Sequence, residues 1–208
     1  MMTEDPRPRV ILLGRLSLHG ERAARLHDEI VPVTARRTDA ETRRDPLRPH
    51  AEDATEKTLA LLEASLADQR LHLVSETVTT LLTASVERDV TDLLPHLESR
   101  AEILAKRLVE RVKVRGEREA KEMKEILESQ RARISQTLQK HDQNPQLSLG
   151  LDEFEKRQVE ADRKHWQKRL TEIGIELETE PYRIRNTYDV RATRIEPVGI
   201  VYLWPISG

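Results

Sequence analysis

From Pro95 to His141 the only break in a stretch rich in Glu, Lys, Arg, Leu and Ala is Gly116. A run this long with so few helix breakers has one economical conformation, an extended helix, because these residue types lose the least freedom in a helix. Leu104, Leu108 and Val112, then Met123, Leu127, Ile134 and Leu138, recur at steps of four, three or seven, which suits a coiled-coil seam. The segment from Asp142 to Gly150 (DQNPQLSLG) is a breaker. Asp152 followed three residues later by Glu155 then reads as the N-cap of a second helix. Its seam is Val159, Trp166, Leu170, Ile173 and Leu177, and Glu180–Pro181 is expected to end it. At roughly 1.5 Å per residue the two arms would be on the order of 60 and 40 Å long. The short connection between them predicts an antiparallel hairpin.

The flanks read differently. Val10 to His19 (VILLGRLSLH) is apolar and reads as a strand; Leu26 to Arg37 alternates and reads as a second one, with Pro32 marking an edge or a bulge. Residues 1–9 are polar and proline-punctuated, and Thr38 to Pro49 reads as a charged loop. Ala51 to Gln69 predicts a helix with Ala54, Leu59, Leu62 and Leu66 near one face. Thr77 to Leu94 predicts another, carrying Leu81, Leu82, Val86, Val90 and Leu93, with Pro95 opening the next in its first turn. At the far end Val198, Ile200, Tyr202 and Trp204 alternate with Gly199, Val201 and Leu203. So apolar a tail has to be buried, and the N-terminal strands are its host. The expected fold is mainly α: a long antiparallel coiled-coil hairpin on a small α+β base formed by N- and C-terminal strands. Residues 1–99 would supply the strands and helices of the base, 100–180 the hairpin, and 181–208 the strand returning to the base.

Charged residues make up 35% of the chain and aromatics 3%, the signature of long exposed helices and not of a compact enzyme core. With no cysteine, neither a disulfide nor a thiolate metal site can form. No apolar run approaches the roughly 18 residues that span a bilayer, and no basic-then-apolar leader opens the chain, so a cytoplasmic protein without a membrane partner is expected. The charge is segmented. Ala51 to Ser99 holds ten acids against Lys57, Arg70 and Arg88, whereas Arg100 to Lys140 holds twelve bases against seven acids. Two such blocks could face each other or face different partners.

The search for catalytic chemistry returns little. No glycine-rich loop ends in Lys-Ser or Lys-Thr, and Asp28–Glu29 beside an apolar stretch has no phosphate cradle to make it an ATPase box. His96, His141 and His165 have no partner at ligand spacing. Ser75, Ser85 and Ser207 lack the strand–turn–helix context of a nucleophile. No catalytic residue, metal or cofactor is expected. The strongest functional signal is electrostatic: Arg107, Arg111, Arg115 and Arg118, spaced four, four and three, share one helical face, flanked by Lys113, Lys121 and Lys124. Such a stripe could follow a phosphate backbone, and the alternative is a solvated face with i,i+4 pairs such as Glu117–Lys121. Arg183 and Arg185, with Arg191 and Arg194, form a second cluster beside the last strand. Neither cluster carries an aromatic stacking platform for single strands. Trp166 and Trp204 read first as core anchors, while Tyr202 and Trp204 are the candidate contacts for a docked partner.

One resemblance bears on these surfaces. The stretch Glu160 to Trp166 (EADRKHW), then Leu177 to Pro181 (LETEP) through Arg185, Tyr188 and Val190, and finally Glu196 to Pro205 (EPVGIVYLWP) resemble the C-terminal end of large bacterial Swi/Snf-type helicases, such as the helicase subunit of the DISARM phage-defence system. Ala24 to Glu29 and Gly116 to Ala120 are similar to the region after the motor lobes in that family. The resemblance spans nearly the whole chain and is most specific in the terminal motif. It implies a noncatalytic accessory module of a DNA translocase in antiviral defence, with a helicase motor subunit as partner and double-stranded DNA as a further contact. The family's two ATPase lobes have no counterpart in these 208 residues, so no nucleotide-binding residue carries over. The alternative from the residues alone is an independent coiled-coil scaffold or homodimeric adaptor that binds no nucleic acid. Both readings predict that calorimetry with ATP and magnesium shows no binding heat; a stoichiometric micromolar event would refute both.

Overall fold

A computed structural model describes residues 2–3, 7–67, 74–143 and 152–205, with only the backbone described at 2–3 and 141. The elements in chain order are β1 (Met2–Thr3), β2 (Arg9–His19), β3 (Arg25–Arg36), α1 (Glu52–Ala67), α2 (Glu76–Gln143), α3 (Glu153–Thr187) and β4 (Ala192–Pro205). They fall into two compact units: one comprising 1–19, 23–109 and 190–208, the other 20–22 and 110–189.

The first unit is built on a sheet of order β1-β4-β2-β3. β2 lies between β3 and β4 and pairs antiparallel with both, from Arg9 opposite Arg36 and Leu203 to His19 opposite Arg25 and Ala192. β1 adds a two-residue parallel pairing to Trp204 and Pro205. Chain ends therefore meet in one sheet, as the apolar tail required. Pro32 sits on β3, an edge strand, where a missing N–H costs no ladder bond.

Both faces of β2 are covered, which explains why Val10, Ile11 and Leu12 are all buried in succession. On the face bearing Val10, Leu12, Gly14 and Leu16 lies α2. A Cβ on Gly14 would stand 2.5 Å from the Leu97 side chain, so the glycine is what lets helix and strand approach. On the opposite face lies α1: the Arg9 guanidinium donates to Thr58 Oγ1 at 2.6 Å, and Thr34 Oγ1 to Thr55 Oγ1 at 3.1 Å. The α1 contact is therefore made by Thr55 and Thr58, the two buried residues of that helix. The expected stripe of Ala54, Leu59, Leu62 and Leu66 is displaced: the first three are half-buried and Leu66 is 67% exposed.

Two prolines were expected to bound helices and do not. Pro95 lies inside α2, which runs unbroken from Glu76 through the expected boundary. Leu93 and Leu97 on either side are fully buried, and their packing outweighs the one backbone bond a proline removes. Pro181 is likewise buried inside α3, which ends at Thr187 with the Tyr188 N–H bonded to the Arg185 carbonyl. Gly116, expected as an interruption, is helical. The breaker region is helical at Asp142 and Gln143, and its remainder lies outside the described residues.

Within the first unit the buried line on α2 is Ser85, Asp89, Leu93, Leu97, Ala101, Ala105 and Leu108, every step a four but the last. Each step of four advances the face by about 40°, so the line winds around the helix. A coiled-coil seam alternates threes and fours to stay on one side. This part of α2 is thus a core helix crossing a sheet, and its small residues, invisible to a search for large apolar ones, are what allow the contact.

In the second unit α2 presents Val112, Gly116, Ala120 and Leu127 as buried positions, and α3 presents Ile173 and Pro181. A Cβ on Gly116 would meet Tyr188 Cβ at 2.7 Å, so this glycine too marks a close approach. Partners on α3 recede along the chain as those on α2 advance: Glu117 accepts from Arg185 at 2.8 Å, and Asp142 from Arg163 at 3.1 Å. The predicted capping box is present: Asp152 Oδ1 accepts from the Glu155 N–H at 2.8 Å, and Glu155 Oε2 from the Asp152 N–H at 3.1 Å.

The Gly14–Leu97 contact generates a test. Gly14→Val should destabilise the first unit by about 1–3 kcal/mol through overpacking. Leu97→Ala in the same chain should recover part of that loss. A denaturant midpoint unchanged in Gly14→Val would show that α2 does not press on β2.

Candidate functional site

Two polar assemblies stand out. The first joins three segments distant in sequence. Asp89, fully buried on α2, accepts from Arg43 Nη1 at 2.5 Å and from the Tyr202 hydroxyl at 2.7 Å. Asp92, one turn on, accepts from Arg43 Nη2 at 2.6 Å and from the Leu47 N–H at 3.1 Å. Arg88 reaches back to the Ala40 and Arg43 carbonyls. Arg37 donates to Ser85 Oγ at 3.4 Å, and its guanidinium lies 5.3 Å from the centre of the Trp204 ring. The expected loop at 38–49 is therefore a strap, fastened to one face of α2 by its own Arg43 and by Arg88 of the helix.

Tyr202 and Trp204, the expected docking residues, are both drawn into this assembly and are half-buried. Burial first, then the bond to Asp89, pushes the Tyr202 hydroxyl above the ordinary tyrosine range, so it remains a donor at any physiological pH. The expected single buried face of Val198, Ile200, Tyr202 and Trp204 is corrected by a bulge. Leu13 pairs with Gly199 but Gly14 with Pro197, leaving Val198 as the extra residue, 52% exposed. The fully buried residue of β4 is Leu203, on the α1 side opposite Arg9. An alternation rule cannot foresee a bulge, because the inserted residue reverses the parity of everything before it.

The sequence reading missed Asp89, Asp92, Arg37, Arg43 and Arg88. A signal existed: Asp89 and Asp92, at i and i+3, interrupt an apolar stretch and share a helix face. Buried carboxylates there demand buried cations. Arg37 and Arg43 each keep a buried Nε without a hydrogen-bond partner among the described residues, a cost the network bears for its specificity.

The second assembly is the basic stripe. Arg107, Arg111, Arg115 and Arg118 all lie exposed on α2. Two of them are compensated on their own helix: Arg115 Nε donates to Glu119 at 2.9 Å, and Arg118 lies 3.7 Å from Glu122. Lys121 and Lys124 repeat the i,i+4 arrangement with Glu125 and Glu128. Arg183 pairs with Glu180 at 2.6 Å and Arg185 with Glu117. Among the described residues Arg107 and Arg111 have no ion-pair partner. Glu119 is the hub: the Tyr188 hydroxyl donates to it at 2.5 Å, and together with Arg115 holds its carboxyl below the usual carboxylate range. Arg115 in turn lies 5.5 Å from the centre of the Tyr188 ring.

Elsewhere, Asp28 on β3 receives a two-pronged Arg15 and, at 3.1 Å, Arg25, which makes it a strand-to-strand ion pair. Among the described residues no group of three His, Asp or Glu could hold a metal ion, and no helix is long and apolar enough to cross a membrane. Compared with protein-family profiles, with curated proteins and with solved structures, the chain finds no match in any of the three.

Removing Asp89 should leave Arg43 buried with half its compensation. Asp89→Ala is expected to cost about 3 kcal/mol. Trp204→Ala, at a half-buried ring, should cost about 2 kcal/mol, below the roughly 3–5 of a fully buried tryptophan. Urea melts followed by circular dichroism measure both. A loss under about 1 kcal/mol for Asp89→Ala would show that the clamp contributes little to the unit.

Proposed function

We propose that this chain is a noncatalytic interaction module, serving a Swi/Snf-type DNA translocase in antiviral defence. In this reading the second unit is an antiparallel coiled-coil arm made from the end of α2 and from α3, and the sheet-bearing unit docks on the motor. The observation that carries the noncatalytic reading is the use of the buried polar groups. Asp89 and Asp92 hold Arg43, Asp89 also accepts from the Tyr202 hydroxyl, and Arg37 donates to Ser85, so that these groups tie strap, helix and strand to one another. The arm is supported by the receding order of the α2–α3 contacts and by the capping box that starts α3. The translocase reading rests on the resemblance of the terminal motif, whose residues 196–205 form most of β4.

The contact with double-stranded DNA is the more demanding part. Arginines held by glutamates at i+4 must give up those pairs to reach phosphate, so Arg115, Arg118, Arg183 and Arg185 offer less than their number suggests. Arg107 and Arg111 offer the most. The independent scaffold without nucleic-acid binding is favoured in turn by the dense i,i+4 pairing from Arg115 to Glu128, which solvates a helix without any ligand.

Fluorescence anisotropy with a labelled DNA duplex separates these readings. If DNA is bound, Arg107→Ala/Arg111→Ala should reduce the magnitude of the slope of log affinity against log salt by about 2, near one unit per phosphate contact. Arg115→Ala/Arg118→Ala should change it less. Absence of binding at low salt removes DNA from the function, and failure to copurify with motor lobes removes the translocase.

A further inference from the structure

β4 is a sheet edge along most of its length. β2 occupies one side of it, and β1 touches the other only at Trp204 and Pro205. Among the described residues no strand pairs with the outer edge from Ala192 to Gly199. This stretch is exposed throughout except at Ile195, so its backbone donors and acceptors, with no N–H at Pro197, face solvent as a template for another strand. Beside it lies an apolar groove of ≈ 640 Å³, floored by Leu16, Ala101, Ala105 and Ile195. The alanines make the groove: larger side chains on α2 would close it over Thr193 and Ile195. Glu98 and Glu102, one turn apart and both exposed, stand on its rim. Neither carboxylate has an ion-pair partner among the described residues, and Lys106 is the base that lines the groove with them.

We propose that the Ala192–Gly199 edge and this groove together capture an extended peptide of a partner protein. The peptide carries aliphatic side chains separated by a lysine or arginine on the face turned toward α2. Backbone pairing to β4 would supply affinity, as in strand addition generally. The aliphatic residues would fill the space over Ala101 and Ala105, and the cation would meet Glu98 and Glu102. Charge complementarity selects this occupant over an acidic or purely aliphatic one. The exposed Val198 bulge sets the limit of pairing, since a bulge disrupts the ladder at that point. The inference extends the docking part of the reading above, but it needs neither DNA nor an ATPase. Its test uses peptides alone, so that the two can fail separately.

The probe is fluorescein-labelled TVTKTVT, amidated, in which valine, lysine and valine share one face of a strand. Anisotropy should report saturable binding. The variant peptide TVTETVT, with glutamate in place of lysine, should bind at least about tenfold more weakly. In the Glu98→Lys/Glu102→Lys protein the preference should invert. Both substitutions are at exposed positions, and circular dichroism checks that the fold is kept. As a second reading, hydrogen exchange should show new protection confined to amides within Ala192–Gly199 when peptide is added. Equal binding of the two peptides, an unchanged preference in the double variant, or protection elsewhere would overturn the proposal. So would a concentration-dependent dimer that the double variant abolishes, since a second copy would then be the occupant.

Discussion

The carboxylate of Asp89 is the point on which the sheet-bearing unit turns. It is fully buried, and it receives both the guanidinium of Arg43 and the hydroxyl of Tyr202. One side chain thereby ties the strap after β3, the first half of α2 and the C-terminal strand. A buried charge of this kind adds little net stability over a well-packed apolar pair. What it adds is uniqueness: any shift of α2 by a turn, or of β4 by a residue, would leave a charge without its partner. The sheet alone lacks that safeguard, because β4 contains a bulge and a half-exposed apolar stretch that would tolerate other registers.

Small residues perform the complementary task. Gly14 admits Leu97 against β2, and Gly116 admits Tyr188 against α2. Ala101 and Ala105 carry the buried line of α2 onward. Each lets two backbones approach where a larger side chain would hold them apart. The same economy that brings α2 down on the sheet leaves a groove beside β4, so a feature of packing becomes the surface best suited to a partner.

The electrostatics of the two units follow opposite logics. In the sheet-bearing unit, Arg43 is buried and matched with Asp89 and Asp92 from across the chain. In the other, Arg115, Arg118, Lys121 and Lys124 are exposed and matched with glutamates one turn along the same helix, each pair worth a few tenths of a kcal/mol. The first arrangement specifies a structure. The second keeps a long helix solvated and leaves charge available at modest cost, except at Glu119, where the Tyr188 hydroxyl and Arg115 converge.

Much of the fold was legible from residues alone. β2 and β3 follow from β-branched and alternating runs, the long helices from uninterrupted helix formers, and the start of α3 from Asp152 and Glu155. The meeting of chain ends in one sheet follows from a tail too apolar to be left in water. What local signals could not decide was where those signals would be overruled. Pro95 fails to stop α2 because Leu93 and Leu97 gain more from packing than one backbone bond is worth, and Pro181, itself buried, lies inside α3 in the same way. Tyr202 and Trp204 turn inward because Asp89 and Arg37 wait there. The arginine stripe was visible as spacing, but its compensation at Arg115 and Arg118, and the lack of an ion pair among the described residues at Arg107 and Arg111, depends on side-chain geometry. The sequence by itself determined which segments are helices and strands, since propensity and periodicity are local. Tertiary structure decided which residues are buried, paired or open to a partner, because burial depends on segments far apart in the chain.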